Sequence, residues 1–298
     1  MGKFNKFAYT SASLPAVGLD TRRLTAVQYR QLHDWEVSSM HPYILEAHQG
    51  VATECPGNTM AAFRAAARQG YGMIELDTKF TADDRCVILH DTTVNRTGRR
   101  KDGSAFPDPV PIGSLTLTQA KALDFGLAFS PEFRGEEIPT LEEVLEFAKA
   151  AAIPLKFDNV LQSHTLRQQE IFFRTVRQLG AEAWVGFTGN SLAYLAMVHK
   201  EFPDAMLHYD GPVTEESLQA LSALAPKEQL AVWMHPENEA TAWCRVPPVT
   251  ERDAERVHRT AQLGLWLLRT EAERQEALGR FGADLIETDG SLKPEHRQ

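Results

Sequence analysis

G-M-I-E-L-D-T, residues 72–78, is an apolar run too short for a helix, opened by glycine and carrying two acids, Glu75 and Asp77. Side chains two apart on a strand share one face. Three other short runs end on the same kind of residue. Y-I-L-E-A-H-Q-G brings His48, C-V-I-L-H-D brings His90, and I-P-L-K-F-D-N brings Asp158. Each reads as a strand followed by helix or loop. Charged residues closing several different strands are where a (β/α)8 barrel keeps its chemistry. The predicted fold class is therefore α/β, a single TIM barrel.

The rhythm continues outward from these runs. Strands are expected at 44–48, 73–78, 86–89, 154–157, 183–187, 205–209, 230–234, 265–268 and 284–288. Between them lie helical stretches with readable ends. Asn58 or Thr59 caps the first and Gly70 stops it. Thr140 with Glu143 forms a capping-box spacing. A further helix is expected over 251–263. Strand–helix alternation means a parallel sheet, and at least eight strands in one domain-sized chain favour closure into a barrel. Residues 1–42 read as an N-terminal extension with one helix, marked by Leu24, Val27 and Leu32, and residues 43–298 as the barrel domain.

Composition limits the function. The chain has 298 residues, 43% hydrophobic and 24% charged, as expected for one large soluble barrel. No apolar run reaches about 18 residues, so no membrane span is expected. The N-terminus lacks an apolar h-region, so no secretory signal is expected either. Cys55, Cys86 and Cys244 are scattered, without a C-x-x-C, which supports neither a zinc knuckle nor a disulfide framework. The expected location is cytoplasmic. A formal net charge of −9 argues against nucleic acid as a partner and leaves a small-molecule substrate, which can be anionic if a metal and local cations hold it.

An inward pair of carboxylates repels itself unless a cation or protons neutralise it. Glu75 and Asp77, with Asp158 as a third oxygen donor, suit one divalent metal. Oxygen-only ligation favours Mg²⁺ or Ca²⁺, with Mn²⁺ as a third option. His48 and His90, read as closing the strands on either side of Glu75 and Asp77, could stand on opposite sides of a bound substrate as base and acid. Lys79 shares the face of Glu75 and Asp77, and Arg269 sits where barrels often bind phosphate. Lys156 and Glu46 fall on the inward faces of their strands and are expected to pair. His208, His235 and Glu237 are further strand-end polar residues. Each of these secondary candidates has a structural role as its plain alternative.

Taken in order, these residues resemble the glycerophosphodiester phosphodiesterase family over roughly residues 44–295. A-H-Q-G at 47–50 is similar to its A-H-R-G, and P-G-N-T-M-A-A-F at 56–63 to its P-E-N-T-x-x-A-F. I-E-L-D-T-K-F-T-A-D at 74–83, V-I-L-H-D at 87–91 followed by Arg96 and Thr97, and I-P-T-L-E-E-V-L at 138–145 follow the family pattern. Trp266 and Thr288–Asp289 look like its closing elements. The resemblance implies a metal-dependent barrel that hydrolyses a phosphodiester. It implies His48 and His90 as the acid–base pair and Glu75, Asp77 and Asp158 as metal ligands. It places Gln49, Lys79, Arg269 and Trp266 around the substrate.

The departures gather where phosphate is held. Gln49 replaces the family Arg, Gly57 the Glu of P-E-N-T, Asp158 a longer Glu, and Val160 a Lys. Charge-assisted contacts contribute about 1.5–3 kcal/mol each, so losing two cations should weaken ordinary binding by orders of magnitude unless Lys79 or Arg269 compensates. Three readings follow: an active phosphodiesterase with an altered phosphate clamp, a barrel enzyme acting on a non-phosphate bond such as a glycoside or as a lyase, and a non-catalytic binding protein. The survival of both histidines and all three carboxylates favours the first.

Overall fold

The computed structural model describes residues 43–295. The extension expected over residues 1–42 lies outside the described residues. Eight parallel strands close a barrel. In chain order they are β1 (Ile44–His48), β2 (Met73–Leu76), β5 (Leu155–Phe157), β6 (Val185–Gly189), β7 (Met206–Tyr209), β8 (Leu230–Met234), β9 (Gln262–Leu265) and β10 (Leu285–Thr288). The ring closes where β1 pairs with β10, Glu46 opposite Glu287. The two strands missing from that list, β3 (Thr78–Phe80) and β4 (Cys86–Ile88), form a separate antiparallel hairpin.

That hairpin corrects one expectation. Residues 86–89 are not a barrel strand, and the neighbours of β2 in the barrel are β1 and β5. An apolar run shows that a segment is a strand but not which edge it pairs with. The strand expected at 73–78 ends at Leu76 and gives Thr78 to the hairpin, and two other boundaries move by two residues or more. The strand expected at 183–187 runs over Val185–Gly189, after a single 3-10 turn at Glu182–Trp184. The strand expected at 265–268 is β9 at Gln262–Leu265, and the helix before it ends at His258.

The helix signals read from the sequence hold. Thr59 caps α1 (Met60–Gln69), and Gly70 ends it at φ 84. The short α2 (Leu117–Lys121) carries a capping box of Thr116 and Gln119. In α3 (Leu141–Ala151) Thr140 and Glu143 complete the expected box. The remaining helices are α4 (Leu166–Gln178), α5 (Leu192–Glu201), α6 (Glu215–Leu224), α7 (Glu251–His258) and α8 (Glu271–Gly279). Their apolar faces cover the barrel; Phe172 and Phe173 of α4, for instance, pack edge-on against Phe187 of β6. Between β4 and α3 an inserted loop carries its own small core of Val87, Leu89, Val94, Ile112, Ala120, Phe125 and Ile138. No helix of the described residues is long and apolar enough to cross a membrane.

Candidate active site

Strand alternation builds the barrel interior in inward pairs, the second member of each standing nearer the C-terminal mouth. On the strands these are Glu46 and His48, Glu75, Lys156, Gly186 and Thr188, His208, Trp233 and Glu287, and Asp77, Asp158, Asp210, His235 and Asp289 each directly follow the last residue of their strand. The deeper members interlock. Lys156 Nζ lies 2.6 Å from Glu46 Oε1, donates to Glu287 Oε2 at 2.5 Å, and sits 3.7 Å from the centre of the Trp233 ring. Trp233 Nε1 donates to His208 Nδ1 at 3.0 Å. Glycine makes room for these rings, because a Cβ at Gly186 would lie 2.6 Å from His208 Nε2 and one at Gly264 would lie 2.5 Å from Trp233. Burial works to push both glutamates up. Lys156 outweighs it at Glu287, whose carboxyl is held low, whereas at Glu46 burial prevails and the carboxyl is pushed well above the usual range. The expected pairing of Lys156 with Glu46 is therefore present, with Glu287 as a third partner that sequence reading missed.

Above this floor the structure brings His48, Gln49, Glu75 and Asp77 together. His48 Nε2 is 3.8 Å from Glu75 Oε2. Gln49 takes a left-handed backbone conformation, φ 56, uncommon for a residue with a Cβ. That turn lets its N–H donate to Glu75 Oε2 at 3.0 Å while its side-chain amide donates to Asp77 Oδ2 at 3.1 Å. Asn58 donates to the same Asp77 oxygen at 2.8 Å. The next residue, Gly50, is held at φ 78 with Ala62 so close that a Cβ would lie 2.7 Å from it. Position 57 packs on position 49, since a Cβ on Gly57 would lie 3.1 Å from Gln49 Oε1. The two substituted family positions are thus neighbours in space.

The three candidate ligands are buried or nearly so and repel one another. Burial, followed by the charges of Asp77, Glu287 and Asp158, pushes Glu75 well above the ordinary carboxylate range. Burial and then Asp77 push Asp158 up to about 6. Mutually repelling oxygen donors at a barrel mouth have the chemistry of a hard divalent-cation site. Among the described residues, however, no group of three or more His, Cys, Asp or Glu converges closely enough to enclose an ion.

His90 follows the β3–β4 hairpin rather than a barrel strand, and its side chain is 55% exposed. Its Nδ1 lies 2.8 Å from Asp91 Oδ1. Arg96 grips Asp91 through both oxygens, at 2.7 and 2.9 Å, and this contact first of all holds the Asp91 carboxyl down at about 2. A carboxylate fixed on Nδ1 leaves Nε2 to exchange a proton. Asp91 and Arg96 lay within the quoted motifs, but nothing in their spacing marked them as partners of His90.

Both proposed compensating cations are engaged. Lys79 Nζ donates to the carbonyls of Thr78 and Leu89, and burial pulls its pKa down. Arg269 Nε donates to Asp289 Oδ2 at 2.7 Å. Trp266 stands 5.7 Å from the His235 ring and 5.9 Å from Trp243, which is 73% exposed. The nitrogens of His235 face the carbonyls of Pro236 and Val246, and His208 is locked under Trp233, so both are structural here. Glu237 is exposed in the loop after β8.

Comparison with known proteins agrees with this architecture. The sequence model of the Glycerophosphoryl diester phosphodiesterase family matches residues 48–289. A glycerophosphodiester phosphodiesterase of Caldanaerobacter subterraneus is 43% identical over 100 residues, 34% of this chain and 38% of that protein. Glycerophosphodiester phosphodiesterase 1 of Homo sapiens is 38% identical over 101 residues, 33% of this chain and 28% of that protein. The chain thus spans less than two fifths of the length of these relatives. Among solved structures, an Oleispira antarctica phosphodiesterase in complex with the product sn-glycerol-3-phosphate aligns at TM-score 0.65 and 19% identity, covering 83% of this chain and 93% of that one. A glycerophosphoryl diester phosphodiesterase from Parabacteroides distasonis aligns at TM-score 0.66 and 19% identity, covering 89% and 88%. At that identity the structures show a shared fold.

Proposed function

Because the chain belongs to the glycerophosphoryl diester phosphodiesterase family, we propose that it hydrolyses a small phosphodiester at the C-terminal mouth of its barrel. The observation that carries this reading is the cluster at the ends of β1 and β2, in which Gln49 bonds to both Glu75 and Asp77 and His48 Nε2 lies 3.8 Å from Glu75 Oε2. Glu75, Asp77 and Asp158 would hold one divalent cation, Mg²⁺ or Ca²⁺ by donor type. Such an ion stabilises charge on phosphoryl oxygens and lowers the pKa of a bound hydroxyl.

The chain's own groups do the rest. His48, beside Glu75, and His90, held by Asp91, divide the acid and base roles between them. Each exchanges a proton at the ring nitrogen turned toward the substrate. Gln49 braces Glu75 and Asp77 from one residue, through its backbone and side-chain amides. This is a different job from that of a phosphate-binding arginine.

One observation favours a second reading, in which the bond cleaved is not a phosphodiester. Gln49 and Val160 carry no charge, and Lys79 and Arg269 already have partners. The test is release of p-nitrophenol from bis-p-nitrophenyl phosphate, with EDTA and with added Mg²⁺, Ca²⁺ or Mn²⁺. Metal-dependent release that His48→Ala and His90→Ala both abolish, with circular dichroism unchanged, supports the phosphodiesterase reading. No release by protein that binds a divalent metal transfers the assignment to p-nitrophenyl glycosides.

A further inference from the structure

Among the described residues four large apolar side chains are exposed: Phe129 at 45%, Leu166 at 81%, Trp243 at 73% and Val246 at 57%. Exposed apolar residues scattered singly are ordinary, but these four share one place in the fold. Phe129 lies in the inserted segment between β4 and α3, Leu166 is the first residue of α4 after β5, and Trp243 and Val246 lie in the loop between β8 and α7. All three connections run from the C-terminal end of a barrel strand to the next helix, so the four side chains belong to the face around the mouth. The outer faces of the described helices and the loops that lead into the described strands expose none.

Cations accompany them. Arg245 stands between Trp243 and Val246 in the chain, exposed and with no ion pair among the described residues. Phe129 packs edge-on against Phe133 at 5.5 Å, and the next residue, Arg134, donates through Nη1 to the carbonyl of Lys101 at 3.1 Å. Neither Arg134 nor Lys101 has a carboxylate partner within ion-pair distance among the described residues, and both are exposed. Leu166 is followed by Arg167, which pairs with Asp84 at 2.9 Å. Trp243 Nε1 donates to the carbonyl of Ala240 at 3.1 Å, so its exposed ring brings no unmet donor into an apolar phase. Acids share these loops, Glu132, Glu237 and Glu239 among them. Attraction by net charge is therefore weak, and the apolar groups carry the affinity while the cations meet phosphates.

A protein partner needs one contiguous patch of about 800 Å² on each side. These groups instead stand apart around a rim, on the connections that follow β2, β5 and β8. A fluid lipid surface accepts separate apolar points, with aromatic rings at the headgroup level and basic side chains on the phosphates. We propose that this C-terminal face docks peripherally on a phospholipid bilayer containing anionic lipid. Trp243, Val246, Phe129 and Leu166 enter the interface, and Arg245, Lys101 and Arg134 rest on the headgroups. Docked this way, the barrel mouth opens onto the headgroup layer. The docking needs nothing from the chemistry inside the barrel, so it stands or falls apart from the phosphodiesterase reading.

The test is co-sedimentation of the full chain with sucrose-loaded vesicles of phosphatidylcholine, with and without a minority of phosphatidylglycerol. The wild type should sediment with the mixed vesicles, and bromine-labelled acyl chains should quench its tryptophan fluorescence. Trp243→Phe should lose most of that quenching. Phe129→Ser combined with Leu166→Ser and Val246→Ser should weaken partition about tenfold or more, with Tm unchanged because all three side chains are exposed. Lys101→Ala combined with Arg245→Ala should weaken it roughly tenfold or more on the mixed vesicles and little on phosphatidylcholine alone. Failure of the wild type to sediment with either vesicle overturns the docking. So does sedimentation that survives the triple serine variant, or quenching that Trp243→Phe retains. Self-association of the chain by ultracentrifugation, lost in the triple serine variant and unaccompanied by vesicle binding, would give this face to a second copy instead and overturn the proposal as well.

Discussion

Lys156→Met deletes the ammonium that lies between two buried carboxylates. With Nζ 2.6 Å from Glu46 Oε1 and 2.5 Å from Glu287 Oε2, each full charge pair would be worth about 6 kcal/mol at an effective dielectric of about 20. Desolvation cancels much of that, and breaking a buried ion pair by removing one partner typically costs about 3–5 kcal/mol. Burial already pushes the Glu46 carboxyl well above the usual range, so the loss falls mainly on Glu287, whose low pKa depends on Lys156. Without the lysine, burial raises Glu287 above its unfolded value. The folded variant then binds a proton that the unfolded chain releases, and its stability falls as pH rises. The deficit against the parent should be about 3–5 kcal/mol at pH 8 and smaller at pH 5, where Glu287 can be neutral. Urea unfolding of both proteins at the two pH values measures it. A triple variant with Glu46→Gln, Lys156→Met and Glu287→Gln should recover much of the loss. A deficit below about 1 kcal/mol at pH 8, or one that does not shrink at pH 5, would refute the reasoning, because it would mean that water screens these charges.

Three other outcomes are expected. Asp91→Asn should lower kcat roughly tenfold or more with little change in KM, because the amide cannot anchor the His90 Nδ1–H as a carboxylate does; steady-state kinetics showing a full kcat would remove Asp91 from the mechanism. Gln49→Arg alone should raise turnover of a simple glycerophosphodiester by less than about tenfold, since position 57, packed against residue 49, offers no acid to hold the guanidinium; a larger gain would break the coupling between the two sites. His164, 5.0 Å from the Phe80 ring and bonded to Thr78, is held down at about 4 by burial and then by the Lys79 charge. Its contribution is complete above the unfolded pKa of about 6.5 and is lost as pH falls through about 4. The effect should stay below about 3 kcal/mol, because the ring is partly open to solvent. His164→Gln should flatten the acid limb of a stability–pH curve in that window, and an unchanged limb would show that the ring is not protonated on unfolding.

Local pattern determined a large share of this protein. Alternation along single strands was enough to put Glu75 with Asp77, and Lys156 with Glu46, inside a parallel barrel, because side-chain direction on a strand is set by the backbone alone. The caps at Thr59, Thr140 and Gly70 were legible for the same reason, since the groups they satisfy lie within four residues. Strand partners are different, because pairing is a choice among distant segments. Only the tertiary structure showed that Cys86–Ile88 turns back on Thr78–Phe80 and leaves the barrel, which puts His90 on a loop where Asp91 and Arg96 orient it. Only the closure of β10 against β1 brought Glu287 to Lys156, across 131 residues of chain. The same holds for Gln49, read as a lost arginine. Its left-handed backbone makes it a brace for two carboxylates contributed by another strand.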